Sequence, residues 1–188
     1  MLLPTLFTRF KTEATNIISH GGEALYHGAV FDEMYADKLY ERLLSYTPWR
    51  NDEWIMYGKA HVTARKVAWY SPKKKWPPEL LEMKEQVESF TGVSYRHVLL
   101  NLYESGDVGL GWHSDEESLE EDSSIASVSL GAERRFDFRN METKETVSIV
   151  LEHGSLLVMQ GALQRFWQHH LPKSKRVRHP RINLTFRK

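Results

Sequence analysis

From Tyr95 onward the chain is cut into short runs of alternating character, YRHVLLNLY, GWHSDEE, IASVSLGAE, RRFDFRN, TVSIVLE, GSLLVMQG, QRFWQHHL and RINLTFR, parted by turns that carry Gly, Asp, Asn or Pro. Runs of this kind read as strands. So many in succession point to a double-sheet β-barrel of the jelly-roll type, with any helices packed against it. Two helices are legible upstream. Asp32 is a good N-cap for EMYADKLYERLLSYT, which carries Tyr35, Leu39, Leu43 and Tyr46 at helical spacing and stops before Pro48. Pro77-Pro78 opens a second, with Leu80, Leu81, Lys84, Val87 and Phe90 at mostly helical spacing, acids in its first turn and Gly92 at its end. The expected class is therefore α+β: a double-stranded β-helix (jelly-roll) core over about residues 95–188, supported by two helices. Residues 1–30, with a turn at Gly21-Gly22, read as an N-terminal arm with two short strands.

With 188 residues, 41% of them hydrophobic, the chain fits one domain with a substantial core, and it shows no repeat and no dividing linker. Basic and acidic residues balance at 25 each, so any nucleic-acid contact must come from local clustering. The absence of cysteine removes disulfides, thiolate zinc sites and cysteine nucleophiles, leaving His and carboxylates as the strong metal ligands. Arg9 and Lys11 interrupt what would have to be an apolar signal core, and no later run approaches membrane-spanning length. A soluble, cytoplasmic protein that does not engage membranes is expected.

Three strands carry candidate chemistry. In GWHSDEE a side-chain period of two puts His113, Asp115 and Glu117 on one face, either as an ordinary exposed strand or as half of a metal site that needs a second nitrogen ligand. In the last strand Arg181, Asn183, Thr185 and Arg187 alternate with Ile182, Leu184 and Phe186. If the polar face is solvent, the two guanidiniums need no partner; if it points into the barrel, they demand an anion, and a dicarboxylate suits the fork of Arg. By the same alternation Leu99, Asn101 and Tyr103 share a face, where Asn101 and Tyr103 can hydrogen-bond a carboxylate or keto group. His169 and His170 fall on opposite faces of their strand, so at most one completes a metal site. Two histidines and one carboxylate with open positions suit a non-haem Fe(II) oxygenase. Between the helices, EWIMYGKAHVTARKVAWYSPKKKW reads either as a half-buried hairpin with a solvated lysine tip or as a nucleic-acid platform. In the second reading Trp54, Tyr57, Trp69, Tyr70 and Trp76 stack on bases while Lys59, Arg65, Lys66 and Lys73 to Lys75 meet phosphates.

Taken together, NLYESGDVGLGWHSDEE, IASVSLGAERRF, LEHGSLLVMQGALQRFWQHHLPK and PRINLTFR resemble the AlkB family of 2-oxoglutarate- and Fe(II)-dependent dioxygenases, which reverse alkylation damage on nucleic-acid bases. GKAHVTARKVAWYS and WPPELLEMKEQVESFTG resemble that family's substrate lid and helix, so the likeness runs over roughly residues 50 to 188. It implies an N-terminal extension over about 1–50, a lid over about 51–77 and the jelly-roll core beyond. It implies His113, Asp115 and His169 as the iron ligands. Asn101, Tyr103, Arg181, Asn183 and Arg187 become the 2-oxoglutarate residues, with Arg181 on the distal carboxylate and Arg187 near the metal-bound end. Trp69, Tyr70, Arg65 and Glu117 become substrate contacts, Glu117 orienting Arg187 or touching the base. The chain departs from the family in having Ala64-Arg65 where the lid usually reads Pro-Arg, and in running from Trp69-Tyr70-Ser71 straight into Pro72 and three lysines, which shortens the lid.

The activity so implied is oxidative demethylation or dealkylation of N-alkylated bases by Fe(II), 2-oxoglutarate and dioxygen, yielding succinate, carbon dioxide and an aldehyde. The partner implied is alkylated nucleic acid, single-stranded or with the base flipped between His113 and a lid aromatic, acted on by a monomer. Lys59, Arg65, Lys73 to Lys75, Lys173, Lys175 and Arg176 are the expected phosphate contacts. An oxygenase acting on a protein or small molecule is the alternative.

Overall fold

The structure, a computed structural model, describes residues 14–56, 59–115 and 123–188; for residues 54–56 and 59–62 only the backbone is described. In chain order the strands are β1 (Thr15–Asn16), β2 (Glu23–Ala29), β3 (Arg50–Met56), β4 (Lys59–Tyr70), β5 (His97–Tyr103), β6 (Leu110–His113), β7 (Ser124–Gly131), β8 (Arg134–Asn140), β9 (Thr146–Leu151), β10 (Ser155–Gln160), β11 (Trp167–Leu171) and β12 (Arg181–Arg187). The helices are α1 (Glu33–Tyr46), α2 (Pro78–Thr91) and the single turn α3 (Leu163–Phe166). Every C-terminal run contains a strand. QRFWQHHL divides, because α3 takes its first residues before β11 begins at Trp167.

The strands form two antiparallel sheets, a larger one in the order β1-β2-β10-β7-β12-β5-β4-β3 and a smaller one in the order β6-β11-β8-β9. β12 lies near the middle of the larger sheet, paired along its whole length with β5 on one side and β7 on the other. Alternation across this strand sorts its residues. Ile182, Leu184 and Phe186 join Val98, Leu100 and Leu102 of β5 and Ala126, Val128 and Leu130 of β7 in the core under the helices. Arg181, Asn183, Thr185 and Arg187 face the smaller sheet. A second apolar core fills one end of the space between the sheets, built from Ile125, Leu157, Met159, Phe138, Leu151 and Trp167. The other end is polar.

Both long helices follow local rules. The Asp32 carboxylate accepts from the Tyr35 amide at 3.2 Å, and Ala36, Leu39 and Leu43 form the buried stripe of α1. Tyr46, expected on that stripe, is 74% exposed in the last turn, with the Arg42 guanidinium 4.8 Å over its ring. In α2, Pro78 fills a first-turn position where its missing N–H costs nothing, Leu80, Met83 and Val87 are buried, and Gly92 closes the helix at φ 71° with its amide on the Glu88 carbonyl. The segment expected as an N-terminal extension is part of the fold from Thr15 onward: β1 pairs with β2, β2 extends the larger sheet against β10, and α1 covers it. Gly22 makes this possible. At φ 121° it presses against the Leu163 backbone, where a Cβ would collide. No described helix is long and apolar enough to cross a membrane.

Leu100, fully buried between β4 and β12, should lose about 2–5 kcal/mol of unfolding free energy on Leu100→Ala. Val150→Ala on the exposed face of β9 should change it by less than about 0.5 kcal/mol. Urea denaturation followed by circular dichroism compares the two.

Candidate active site

Antiparallel pairing brings the two ends of the site together. β11 pairs with β6 so that His169 lies directly opposite His113, with ring centroids 4.2 Å apart. The His113 Nδ1–H donates to the Gly111 carbonyl at 2.8 Å, which fixes the tautomer and leaves the Nε2 lone pair free to coordinate. His169 is 4% exposed, stacked on Phe136 at 5.5 Å with Phe138 against its edge. Burial pushes its pKa down to about 4, so the imidazole is neutral at ordinary pH, the form that binds metal. His170 points the other way, onto the outer surface of the smaller sheet, where it packs on Trp112 and approaches Asp137.

Asp115 arrives by a different route from the one its spacing suggests. β6 ends at His113, and the chain turns inward under two hydrogen bonds: Ser114 Oγ donates to the Trp167 carbonyl, and the Asp115 amide donates to Gln164 Oε1 at 2.9 Å. Its carboxylate oxygens lie 3.9 Å from each imidazole Nε2, and the three ligand atoms are within 4.8 Å of one another. Burial pushes the Asp115 carboxyl up, but His169, Arg187 and His113 outweigh this and hold it below the usual carboxylate range. Glu117 lies outside the described residues. Among those described, this is one compact group of two histidines and one carboxylate, the donor set suited to Fe(II) with positions left open.

A cavity of about 290 Å³ opens beside these ligands, walled by Asn101 and Tyr103 of β5 and by Arg181, Asn183 and Arg187 of β12. Arg187 Nη2 lies 3.2 Å from Asp115 Oδ1, which orients the carboxylate. Arg181 has no carboxylate within ion-pair distance among the described residues; it is 2% exposed, hydrogen-bonded to Ser129 Oγ at 2.9 Å and set over the Tyr103 ring. Burial pushes its pKa down to about 10 against the attraction of Tyr103, and neighbouring Arg134 lowers it further. Arg181 Nε, Arg187 Nε and the Asn101 Oδ1 acceptor are buried without a hydrogen-bond partner. A buried guanidinium without a countercharge is costly, and an anionic ligand is the arrangement that offsets it. Asn183, expected to bind the ligand as well, is already committed: its Nδ2 donates to Ser127 Oγ and the Val128 carbonyl, and its Oδ1 accepts from Thr185. It ties β12 to β7 and keeps the cavity wall in register.

The hairpin residues divide between the two faces of the larger sheet. Tyr70, expected at the substrate, is 3% exposed in the helix-side core beside Trp76, which is likewise buried with its indole N–H on the Ser71 carbonyl. Alternation along β4 requires this, since Tyr70 shares its face with Ala68. Trp69 lies on the cavity face but outside the cavity wall, and its ring stacks on His97. Arg65, expected on a phosphate, turns inward: it lines the cavity beside Tyr103 and pairs with Asp52. Lys66 pairs with Glu104, while Lys73, Lys75, Lys173, Lys175 and Arg176 are exposed, joined by Arg178. The side chains of Trp54, Tyr57 and Lys59 lie outside the described residues.

The family model described as "2OG-Fe(II) oxygenase superfamily" matches residues 24–187. "DNA oxidative demethylase ALKBH2" of Mus musculus is 36% identical over 184 residues, covering 85% of this chain and 77% of that protein. The chain belongs to the AlkB family of 2OG-Fe(II) oxygenases. The match begins within β2, earlier than the resemblance read from the sequence. "Alpha-ketoglutarate-dependent dioxygenase alkB homolog 3" of Bos taurus is 39% identical over 174 residues, covering 81% of this chain, which spans 61% of that relative's length. A solved structure titled "The structure of OsALKBH1" superposes with a TM-score of 0.60 at 18% identity, covering 91% of this chain and 99% of that one, a likeness of fold. The family implies Fe(II), 2-oxoglutarate and dioxygen, and the residues present fit: two imidazoles and a carboxylate for the metal, and an unpaired buried guanidinium for an anion.

Two residues of this AlkB-family site carried no signal in the sequence. Gln164 sits in a turn that reads as strand, and the buried Arg134 donates to the carbonyls of Ser105, Val108 and Pro172, joining two loops at the rim. Arg181→Met should leave the unliganded protein as stable or more stable by about 1–3 kcal/mol, since it removes an unpaired buried charge. The same variant should lose the rise in thermal midpoint that 2-oxoglutarate gives the parent protein, read by differential scanning fluorimetry.

Proposed function

We propose that this chain catalyses oxidative dealkylation of N-alkylated nucleic-acid bases with 2-oxoglutarate as co-substrate. The observation that carries the oxygenase half is the pairing of an open two-histidine, one-carboxylate site with an unpaired buried arginine in one cavity. The substrate half is supported by the names of the relatives, one a DNA oxidative demethylase, and by the exposed cations Lys173, Lys175, Arg176 and Arg178 on the loop from β11 to β12.

When bound, ferrous iron and 2-oxoglutarate supply the power to oxidise an unactivated N-alkyl carbon with dioxygen, giving succinate, carbon dioxide and a hydroxyalkyl base that releases an aldehyde. The chain's own part is positional and electrostatic. His113 and His169 would present their Nε2 atoms to the metal, and Asp115 an ionised oxygen. Arg187 holds that carboxylate in place. Arg181 receives the distal carboxylate of the co-substrate, with Tyr103 and Asn101 beside it. Arg65, held by Asp52 beside Tyr103, stiffens the lid side of the cavity wall. The apolar rings of Phe136 and Phe138 behind His169 keep water from the buried side of the site. A reducing cytoplasm, which suits ferrous iron, is the compartment we assign.

N-methylated single- and double-stranded DNA and RNA oligonucleotides, incubated with iron, ascorbate and 2-oxoglutarate, should release formaldehyde and succinate in equal amounts. Asp115→Ala should lower both by at least about a thousandfold. Binding to a single-stranded oligonucleotide should weaken steeply between 50 and 200 mM salt, roughly tenfold or more, if phosphates meet the exposed cations. Succinate production without formaldehyde from any oligonucleotide would move the substrate to a protein or small molecule.

A further inference from the structure

Beside the metal cavity, on the same face of the larger sheet, runs an open groove of about 610 Å³ walled by Arg50, Asn51, Asp52, Val67, Trp69 and Lys74. Among the described residues its aromatic wall is Trp69, 37% exposed. His97 backs the indole in a stacked arrangement, centroids 5.4 Å apart and planes 19° from parallel, without itself lining the groove. A second ring behind the first holds the indole's orientation, so it meets an incoming flat group without further ordering of its side chain.

The groove adjoins the cavity through three contacts. Trp69 pairs across the strands with Leu99, which lines the cavity. His97 pairs with Arg187, which holds Asp115. Asp52 of the groove is bound to Arg65 of the cavity wall. Charge within the groove is sorted as well. Asp52 is neutralised by Arg65 and hydrogen-bonded by Thr63, whereas Arg50 and Lys74 are exposed, with Lys73 and Lys75 beside them; among the described residues Glu53 is the one exposed acid on the wall. Lys74 Nζ donates to the Trp69 carbonyl at 2.9 Å and lies over the Tyr70 ring, which holds its ammonium at the end of β4, where Lys74 and Trp69 both line the groove, with donors to spare. A flat ring surface with cations at its margin recognises a nucleobase together with its phosphate.

We propose that Trp69, backed by His97, stacks on the nucleobase next to the target base, with Arg50 and Lys74 receiving the adjoining phosphate. The proposal rests on the nucleic-acid reading above and specifies where a neighbouring nucleotide is held. It also accounts for the position of Trp69 on the cavity face but outside the cavity: the target base lies at the metal, and its neighbour lies one strand away.

A thermodynamic cycle tests it. The probe is a seven-nucleotide single strand, N-methylated at its central base, with the base deleted in turn from each adjacent sugar; affinity is measured by fluorescence anisotropy without 2-oxoglutarate. In the parent protein, deletion on one side should weaken binding about tenfold. Trp69→Ala should weaken the intact strand by a similar factor and then respond to that same deletion less than about twofold. Trp69→Phe should retain most of the affinity, His97→Ala should lose part of it, and circular dichroism reports folding for each; Trp69→Leu repeats the cycle if Trp69→Ala does not fold. A parent protein indifferent to both deletions, or a Trp69 variant that suffers the full deletion penalty, overturns the stacking proposal while formaldehyde release from the intact strand leaves the dealkylase reading standing. Absence of formaldehyde from every methylated strand removes that reading, and this one with it.

Discussion

β12 must satisfy two environments at once, and the rest of the molecule is arranged around that requirement. Its apolar residues close the core beneath α1 and α2, while its polar ones stand in the space between the sheets. Full pairing with β5 and β7 leaves no freedom to slip, because a one-residue shift would drive two arginines into the helix-side core and expose Phe186 to the cavity. The stability of the fold and the placement of Arg181 and Arg187 are therefore one property. A sheet that holds its register holds its ligand site, and the Asn183 network with Ser127 and Thr185 adds polar bonds to the same strand.

The division of labour between the two sheets follows. The larger sheet supplies the anion-binding wall and the smaller one the metal ligands, so the site exists only where both are packed face to face. Phe138 and Trp167, in the core between the sheets, set that distance at one end, and Arg134 ties loops together at the other. Its guanidinium serves three carbonyls from two loops, a use of arginine as a structural clamp that also leaves a positive charge near Arg181.

How much of this was legible in the sequence depended on range. Strands announced by strict alternation, such as Arg181 to Arg187, and helices announced by caps, such as Asp32 and Gly92, are local signals that tertiary packing left in place. The choice between His169 and His170 is a matter of face alone, and the family pattern pointed to the buried one. Asp115 kept its neighbourhood to His113 although the strand reading behind it stopped short, since Gln164 and Trp167 bend the chain by contacts fifty residues distant. Tyr70 and Arg65 illustrate what local pattern does not carry. In an aromatic and basic stretch, composition suggests a platform, but which side chain faces the helices and which faces the ligand is fixed by pairing with β5. The inward turn of Arg65 depends on Asp52 and Tyr103, neither adjacent in sequence.

One consequence follows from the direct opposition of His113 and His169. Among the described residues β6 is an edge strand of the smaller sheet, only four residues long, with β11 as its single neighbour. An ion shared by these two histidines is a cross-link between an edge strand and the strand inside it. Metal occupancy would thus fasten one margin of the barrel, of the kind where an unpaired strand invites association with other chains. Coordination bonds made for chemistry would in the same stroke shield an exposed edge.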